Sequence, residues 1–163
     1  MEQFLAGFAP TSMFLRSNLA AHGTEDRTTR HGSTFFLTRK NGIVTGVFGL
    51  SNSGFLMAQA PGASAQDWEA FAAAISGRTV HGMTGVPTQV TAALNALGLT
   101  DHAWRMRVDE PLYHLDLVNL VDMEDINARV RRPLSDEEEM LVRWYHGYEQ
   151  DVGQARPVEP PSQ

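Results

Sequence analysis

The strongest chemical signal in this sequence is a run of small residues, Gln59-Ala60-Pro61-Gly62-Ala63-Ser64. The run follows a strand-like segment and precedes a segment with helical periodicity. At such a junction, unpaired amides and the positive end of the helix dipole face the same place, which suits a pyrophosphate. Gly62 permits close approach of a ligand to the backbone, and Ser64 can cap the helix that begins at Ala65. The run is therefore a candidate anion-binding loop.

The same loop has a purely structural interpretation. Pro61 donates no amide hydrogen, and no Lys or Arg lies between Gln59 and Ser64 to attract an anion. Ser64 would then only cap its own helix, which contributes about 1 kcal/mol. Small-residue turns between a strand and a helix are common without ligands. On the residues alone the helix-cap interpretation is favoured, and the anion-binding interpretation is kept as the alternative.

Other residue types with catalytic potential give weaker signals. The six histidines show no pair at metal-ligand spacing on one helix, so the sequence predicts no metal site. His114 and Asp116 would share one face of a strand and form a possible base, but no nucleophile motif accompanies them. A structural pair is the favoured interpretation. The acidic run from Asp136 to Glu139 is interpreted as helix capping and dipole complementation.

The elements that must position the loop begin with a strand meander. Its three strands are predicted from β-branched and aromatic runs at Thr34–Arg39, Ile43–Phe48 and Phe55–Gln59. Asn41-Gly42 is a strong hairpin signal, and Asn52-Ser53-Gly54 marks the second turn. A helix then follows the loop, because apolar residues recur at helical spacing at Trp68, Phe71, Ala72 and Ile75. Gly77 is placed to end it.

Further elements complete one domain. A helix over Glu2 to Phe8 precedes a second, which Thr11 or Ser12 caps and which ends near Gly23. After the meander we expect a strand at Thr79–Thr84, a helix opened by Pro87, and closing strands at His102–Val108 and Leu112–Leu117. The buried stripe of that helix comprises Val86, Val90, Ala93, Leu94 and Leu97. The predicted fold class is α/β (α+β), with a central mixed, largely antiparallel sheet flanked by helices.

Three regions follow from this pattern: a domain at 1–120, a linker with a strand-helix start at 121–153, and a disordered tail at 154–163. In the second region, Ala128–Pro133 is a possible strand, and Ser135 with Glu138 makes a capping box. The helix after it is strongly amphipathic through Met140, Leu141, Trp144, Tyr145 and Tyr148.

Composition narrows the environment and the partners. The 163 residues contain no cysteine, which excludes thiol chemistry and fits a reducing compartment. Glu2 stands where a secretory signal would carry positive charge, and no stretch has the length of a membrane span. We therefore expect a cytoplasmic location and no membrane. The formal charge of −6 removes the driving force for binding phosphate backbones, so no nucleic-acid partner is expected.

At the loop the chain resembles a family. The order of elements and the placing of Gln59 to Ser64 are similar to the GNAT superfamily of N-acetyltransferases, in which the pattern Q/R-x-x-G-x-G/A binds the pyrophosphate of acetyl-coenzyme A. Gln59 and Gly62 match the pattern, and Ser64 replaces its final Gly or Ala. The resemblance implies acetyl-coenzyme A as co-substrate, bound by Gln59, Gly62, Ala63 and Ser64, no metal, and acetyl transfer to an unidentified amine.

The segment Leu94-Asn95-Ala96-Leu97-Gly98-Leu99 resembles the family's L-Y-x-x-x-G-F segment. Leu94 lies at or near the position of the tyrosine that often protonates the departing thiolate. Leucine cannot donate a proton, so no catalytic side chain is assigned, and we expect weak or no activity from the chain alone.

Residues Arg129 to Gln150 resemble the first strand and helix of another GNAT domain. The chain is therefore interpreted as the N-terminal domain of a tandem N-acetyltransferase, with a second GNAT domain or a second copy as its partner. The alternative is a non-catalytic interaction or dimerisation domain that retains the fold. A third, weaker option is a domain that binds a different small ligand.

Overall fold

The structure is a computed structural model that describes residues 1–121 and 131–151. It divides the chain into two units, Met1–Leu115 and Asp116–Gln163. In chain order, the helices and strands are α1 (Glu2–Ala6), α2 (Met13–His22), β1 (Ser33–Lys40), β2 (Ile43–Ser51), β3 (Phe55–Gln59), α3 (Ala65–Ala74), β4 (Gly82–Thr84), α4 (Pro87–Ala96) and α5 (Glu138–Asp151).

The first hairpin forms where turn chemistry predicts it. β1 and β2 pair antiparallel, with Lys40 opposite Ile43, so Asn41 and Gly42 make a two-residue turn. Both have positive φ, 52° and 80° respectively, as the twist of a tight hairpin requires. β2 also pairs antiparallel with β3, which confirms the predicted meander.

The fourth strand makes the sheet mixed. β4 pairs with β3 in parallel, and α3 lies between them along the chain, as a parallel connection requires. The strand order is β1-β2-β3-β4. The predicted α/β class with a mixed, largely antiparallel sheet flanked by helices is confirmed. The strand predicted from Thr79 begins only at Gly82.

Helices cover both faces of the sheet. On one face Phe48 stacks on Phe71 at a ring-centroid distance of 4.8 Å and meets Trp68 edge-on at 4.9 Å. The buried residues of this cluster are Phe48, Leu50, Leu56, Ala58, Ala60, Trp68, Phe71, Ile75 and Ala93. On the other face α1 and α2 contribute to a second cluster of Leu5, Leu15, Val47 and Met57. Burial of each large apolar side chain contributes roughly 1.5–3 kcal/mol to the free energy of unfolding. The core therefore fixes β3 and α3, and with them the loop that joins the two.

The predicted capping role of Ser12 is wrong, although α2 does begin directly after it. Its side chain makes no cap hydrogen bond. The buried Ser12 Oγ instead lies 2.7 Å from Leu5 O and 2.8 Å from Phe8 O. The hydroxyl satisfies carbonyls at the end of α1, because buried carbonyls left unpaired cost more than a solvent-exposed helix N-terminus.

The predicted closing strands, His102–Val108 and Leu112–Leu117, do not form. Their residues are exposed except for the partly buried Trp104, so this segment buries no apolar face against a neighbour. A strand needs a hydrogen-bonding partner as well as β-propensity, and propensity was the only signal here. His114 and Asp116 therefore do not lie on a strand, which was the reason for expecting them on one face.

The second unit contributes α5, preceded by a short 3₁₀ turn at Ser135–Glu137. The predicted capping box of Ser135 and Glu138 is wrong. Glu137 accepts from the Leu134 N–H at 2.7 Å and binds the Arg131 guanidinium through both oxygens, at 2.7 and 2.6 Å. These contacts hold the pKa of Glu137 down at about 2.

Several sequence predictions fall wholly or partly outside the described residues. Residues 122–130 and 152–153 of the predicted region at 121–153 lie outside them, and so do the first two residues of the segment from Arg129 to Gln150. The predicted tail at 154–163 lies outside them, and so do residues 128–130 of the possible strand at Ala128–Pro133. The described residues 131–133 form no strand. Across the described ranges, no helix combines the length and apolar character that a bilayer crossing demands.

Candidate functional site

The candidate loop joins β3 to α3 as a tight turn. The Ala63 N–H donates to Ala60 O at 3.1 Å, which closes the turn around Pro61 and Gly62. Gly62 is exposed, its φ lies outside the left-handed region, and a Cβ placed on it would meet no atom within 4 Å. The fold itself therefore does not require glycine at position 62. A ligand that approaches the backbone closely would require it.

A capping box forms where α3 begins. The Asp67 N–H donates to Ser64 Oγ at 3.2 Å, and the Ser64 N–H donates to Asp67 Oδ2 at 2.8 Å. The Ser64 hydroxyl also donates to Asp67 Oδ2, at 2.7 Å. The Ser64 hydroxyl and amide lower the pKa of Asp67 below its ordinary value. A carboxylate of this chain thus already occupies the positive end of the α3 dipole.

Few donors of the loop stay available for an anion. Within the described residues, the amides of Gly62, Ala65 and Gln66 make no hydrogen bond, whereas that of Ser64 is taken by Asp67. The free amides adjoin the Asp67 carboxylate along the chain, so a pyrophosphate bound to them would meet a like charge. The loop therefore offers three free amides beside a carboxylate that weakens their attraction for an anion.

The four residues predicted to hold the coenzyme divide into two pairs. Gly62 and Ser64 are exposed at the loop. Gln59 is buried, and its Oε1 accepts from the Thr11 hydroxyl at 2.7 Å, so it ties the end of β3 to the α1–α2 connection. Ala63 packs against the core. In this structure Gln59 and Ala63 hold the loop in place, and Gly62 and Ser64 form its solvent-exposed surface.

Sequence reasoning missed Gln89 on α4. This side chain is 6% exposed, and its Oε1 accepts from the Ala60 N–H at 2.7 Å, which supplies a partner to the first amide after β3. A signal was available, since Gln89 precedes the buried Ala93 by four residues and so lies on the apolar face of the helix. A polar residue on a buried stripe predicts a specific hydrogen-bond partner.

No proton donor lies at the position that the family's tyrosine would occupy. Leu94 is buried on the inner face of α4. Asp67 is ionised at neutral pH and, with its lowered pKa, is a weak base, so its effect at the loop is electrostatic. Within residues 1–121 and 131–151, no three His, Asp or Glu side chains gather as a metal ion would need.

Comparisons with protein-family models, with curated proteins and with solved structures return no match for this chain.

Proposed function

We propose that this chain is the N-terminal GNAT-like domain of an acetyl-coenzyme A dependent N-acetyltransferase, and that alone it transfers no acetyl group. The observation that supports the lack of acetyl transfer is the Ser64–Asp67 capping box, which places a fixed carboxylate at the N-terminus of α3. The family assignment rests on the resemblance and on the way β3, the loop, α3 and β4 succeed one another.

The topology supports the family assignment. Three antiparallel strands lead into a small-residue loop, a helix and a parallel strand, which is the order that the resemblance implies. Gly62 adds a second argument, because nothing in the fold requires a glycine there. A loop derived from one that held a coenzyme pyrophosphate against its backbone would retain such a glycine, even after binding was lost.

Electrostatics and side-chain chemistry support the lack of activity. A pyrophosphate at the amides of Gly62 and Ala65 would be repelled by Asp67, in a loop that contains no Lys or Arg. Leu94 has no proton for a departing thiolate, a step typically worth about 10²–10⁴ in rate. Catalysis would then belong to a second domain, and this one would support it.

Coenzyme binding tests the family assignment and the effect of Asp67 on the loop. Calorimetry with coenzyme A should be run on the wild-type chain, on Gly62→Asp and on Asp67→Asn. The Asn retains an oxygen that accepts from the Ser64 N–H but carries no charge. We expect no measurable binding by the wild type and weak binding by Asp67→Asn, because only the repulsion is removed.

Micromolar binding by the wild type, abolished in Gly62→Asp, would show a working coenzyme site and contradict the repulsion by Asp67. Incorporation of labelled acetyl into an amine by the isolated chain would overturn the lack of activity. Absence of binding by all three well-folded variants would mean that the loop only caps α3, and the family assignment would lose its main support.

A second candidate function is favoured by the surface of α5. Leu141, Trp144 and Tyr148 recur on one face of the helix, and Trp144 exposes 64% of its surface. We propose as the alternative a non-catalytic dimerisation domain, in which this face packs against the same face of a second copy. Sedimentation equilibrium of the wild type and Trp144→Glu tests it, with Arg143→Glu, away from this face, as control. A monomeric wild type would contradict it.

A further inference from the structure

A polar pocket lies at the opposite end of β3 from the candidate loop. Its volume is about 270 Å³, and it is lined by Ser51, Asn52, Ser53, Gly54, Arg78, Thr79 and His81. The first four residues form the β2–β3 turn, and the others belong to the α3–β4 connection. The five residues of β3 separate its two ends by roughly 14 Å, so this pocket is distinct from the loop.

The two walls of the pocket are fixed by the fold itself. Across the β2–β3 turn the Gly54 N–H donates to Ser51 O and the Phe55 N–H donates to Ser51 Oγ, each at 2.9 Å. The His81 N–H donates to Gly54 O at 2.8 Å and joins the second wall to the first. Gly54 has φ 80°, and a Cβ on it would lie 2.7 Å from His81 Cδ2. This glycine lets the two walls meet.

Arg78, Ser53 and Thr79 supply side-chain donors to the lining of this space, whereas the Asn52 side chain already donates to Asp26 O and Thr29 O. Arg78 makes no ion pair or side-chain hydrogen bond to any described residue, and none of the seven lining residues is acidic. Ser53 Oγ lies 3.0 Å from Ser51 Oγ, which already accepts from Phe55. The Thr79 hydroxyl and the His81 imidazole are also without a hydrogen-bond partner among the described residues. In a chain of net charge −6, this pocket places one guanidinium beside hydroxyl groups and has no acidic residue in its lining.

We propose that this pocket binds a phosphate group, either free phosphate or the phosphate of a small monoester. The planar guanidinium of Arg78 pairs with two oxygens of a phosphate. The other oxygens of a tetrahedral anion point towards the hydroxyls of Ser53 and Thr79 and towards His81 on the surrounding walls. A planar carboxylate has only two oxygens, so once both are paired with the guanidinium no oxygen remains for the hydroxyl donors. The donor set therefore favours phosphate over carboxylate.

The test is a titration of the ¹⁵N-labelled full chain, followed by NMR, with inorganic phosphate, glycerol 3-phosphate and acetate. The wild type is compared with Arg78→Ala and with Arg39→Ala. Arg39 lies beside the first hairpin turn, where it donates to Gly42 O, so its loss changes the net charge equally without touching the pocket. We expect saturable shifts confined to the amides of residues 51–54 and 78–82.

The expected result is that Arg78→Ala weakens phosphate binding at least tenfold, whereas Arg39→Ala changes it less than twofold. Tighter binding of glycerol 3-phosphate than of inorganic phosphate identifies a monoester as the ligand, and equal binding identifies the free ion. Non-saturating shifts, equal weakening by both substitutions, or acetate binding as tight as phosphate would overturn the proposal. A binding site for coenzyme A at Gly62 would shift other amides, so the two proposals fail independently.

Discussion

At the scale of single residues, the buried hydrogen bond of Gln89 should make a measurable contribution to the free energy of unfolding. Its carbonyl accepts from the buried Ala60 N–H, and Gln89→Leu keeps the volume while leaving that donor unpaired. An unsatisfied buried donor costs about 1–3 kcal/mol, which we expect as the loss in unfolding free energy. Urea denaturation measures it. Gln66→Leu on the exposed part of α3 is the matched control and should change stability by less than about 0.5 kcal/mol. Equal effects of the two substitutions would contradict the role of Gln89.

Asp67 makes the free energy of unfolding depend on pH, and the sign of this dependence follows from its hydrogen bonds to Ser64. Its pKa is lowered from the ordinary 3.8, so the folded state favours the carboxylate. The stabilisation is fully present above pH 3.8 and is lost as the pH falls through the lower pKa of the folded state. The stability difference between wild type and Asp67→Asn should therefore be constant between about pH 7 and pH 5 and shrink below about pH 4. Urea midpoints across this range measure it, and a difference independent of pH would show that the charge contributes nothing.

The sequence predicted some residue roles at the site and missed others for a physical reason. The cap at Ser64 follows from local rules, since its partner is three residues away, although the sequence did not single out Asp67. The partners of Gln59 and Gln89 lie 48 and 29 residues away along the chain. Such contacts depend on how the helices pack against the sheet, which no local pattern encodes.

At the scale of elements, the first hairpin depends on backbone conformation more than on contacts. Gly42 has φ 80°, and a Cβ added to it would meet no atom within 4 Å, so Gly42→Ala adds strain without a clash. We expect a loss of about 1 kcal/mol, from the left-handed conformation alone. Gly62→Ala is the matched control, since its site is equally open but has ordinary φ, and it should be neutral or slightly stabilising. Thermal denaturation of both variants checks this, and equal melting temperatures would contradict it.

The elements predicted correctly are those whose signals are local. Asn41-Gly42 specifies its turn, and Pro87 opens α4, because turn and capping preferences act within a few residues. The segments His102–Val108 and Leu112–Leu117 were predicted as strands from β-propensity, yet they form no strand. A strand depends on a distant edge to pair with, so its existence is decided by the assembled sheet.

At the scale of the whole molecule, stability is concentrated in the first unit. Every buried residue in the described part of the chain lies between Leu5 and Leu94, whereas α5 buries none. Its 14 residues are near the length at which an isolated helix is only marginally stable in water. The sheet and its four helices therefore supply the cooperative core, and α5 adds little to it.

A chain that stops after Leu115 tests this distribution. Since the truncation removes no buried residue of the described chain, it should unfold in one cooperative transition, with an unfolding free energy within about 1 kcal/mol of that of the full chain. Circular dichroism should show the loss of α5 helicity and an unchanged melting midpoint. A clearly lower midpoint would show that the second unit stabilises the first.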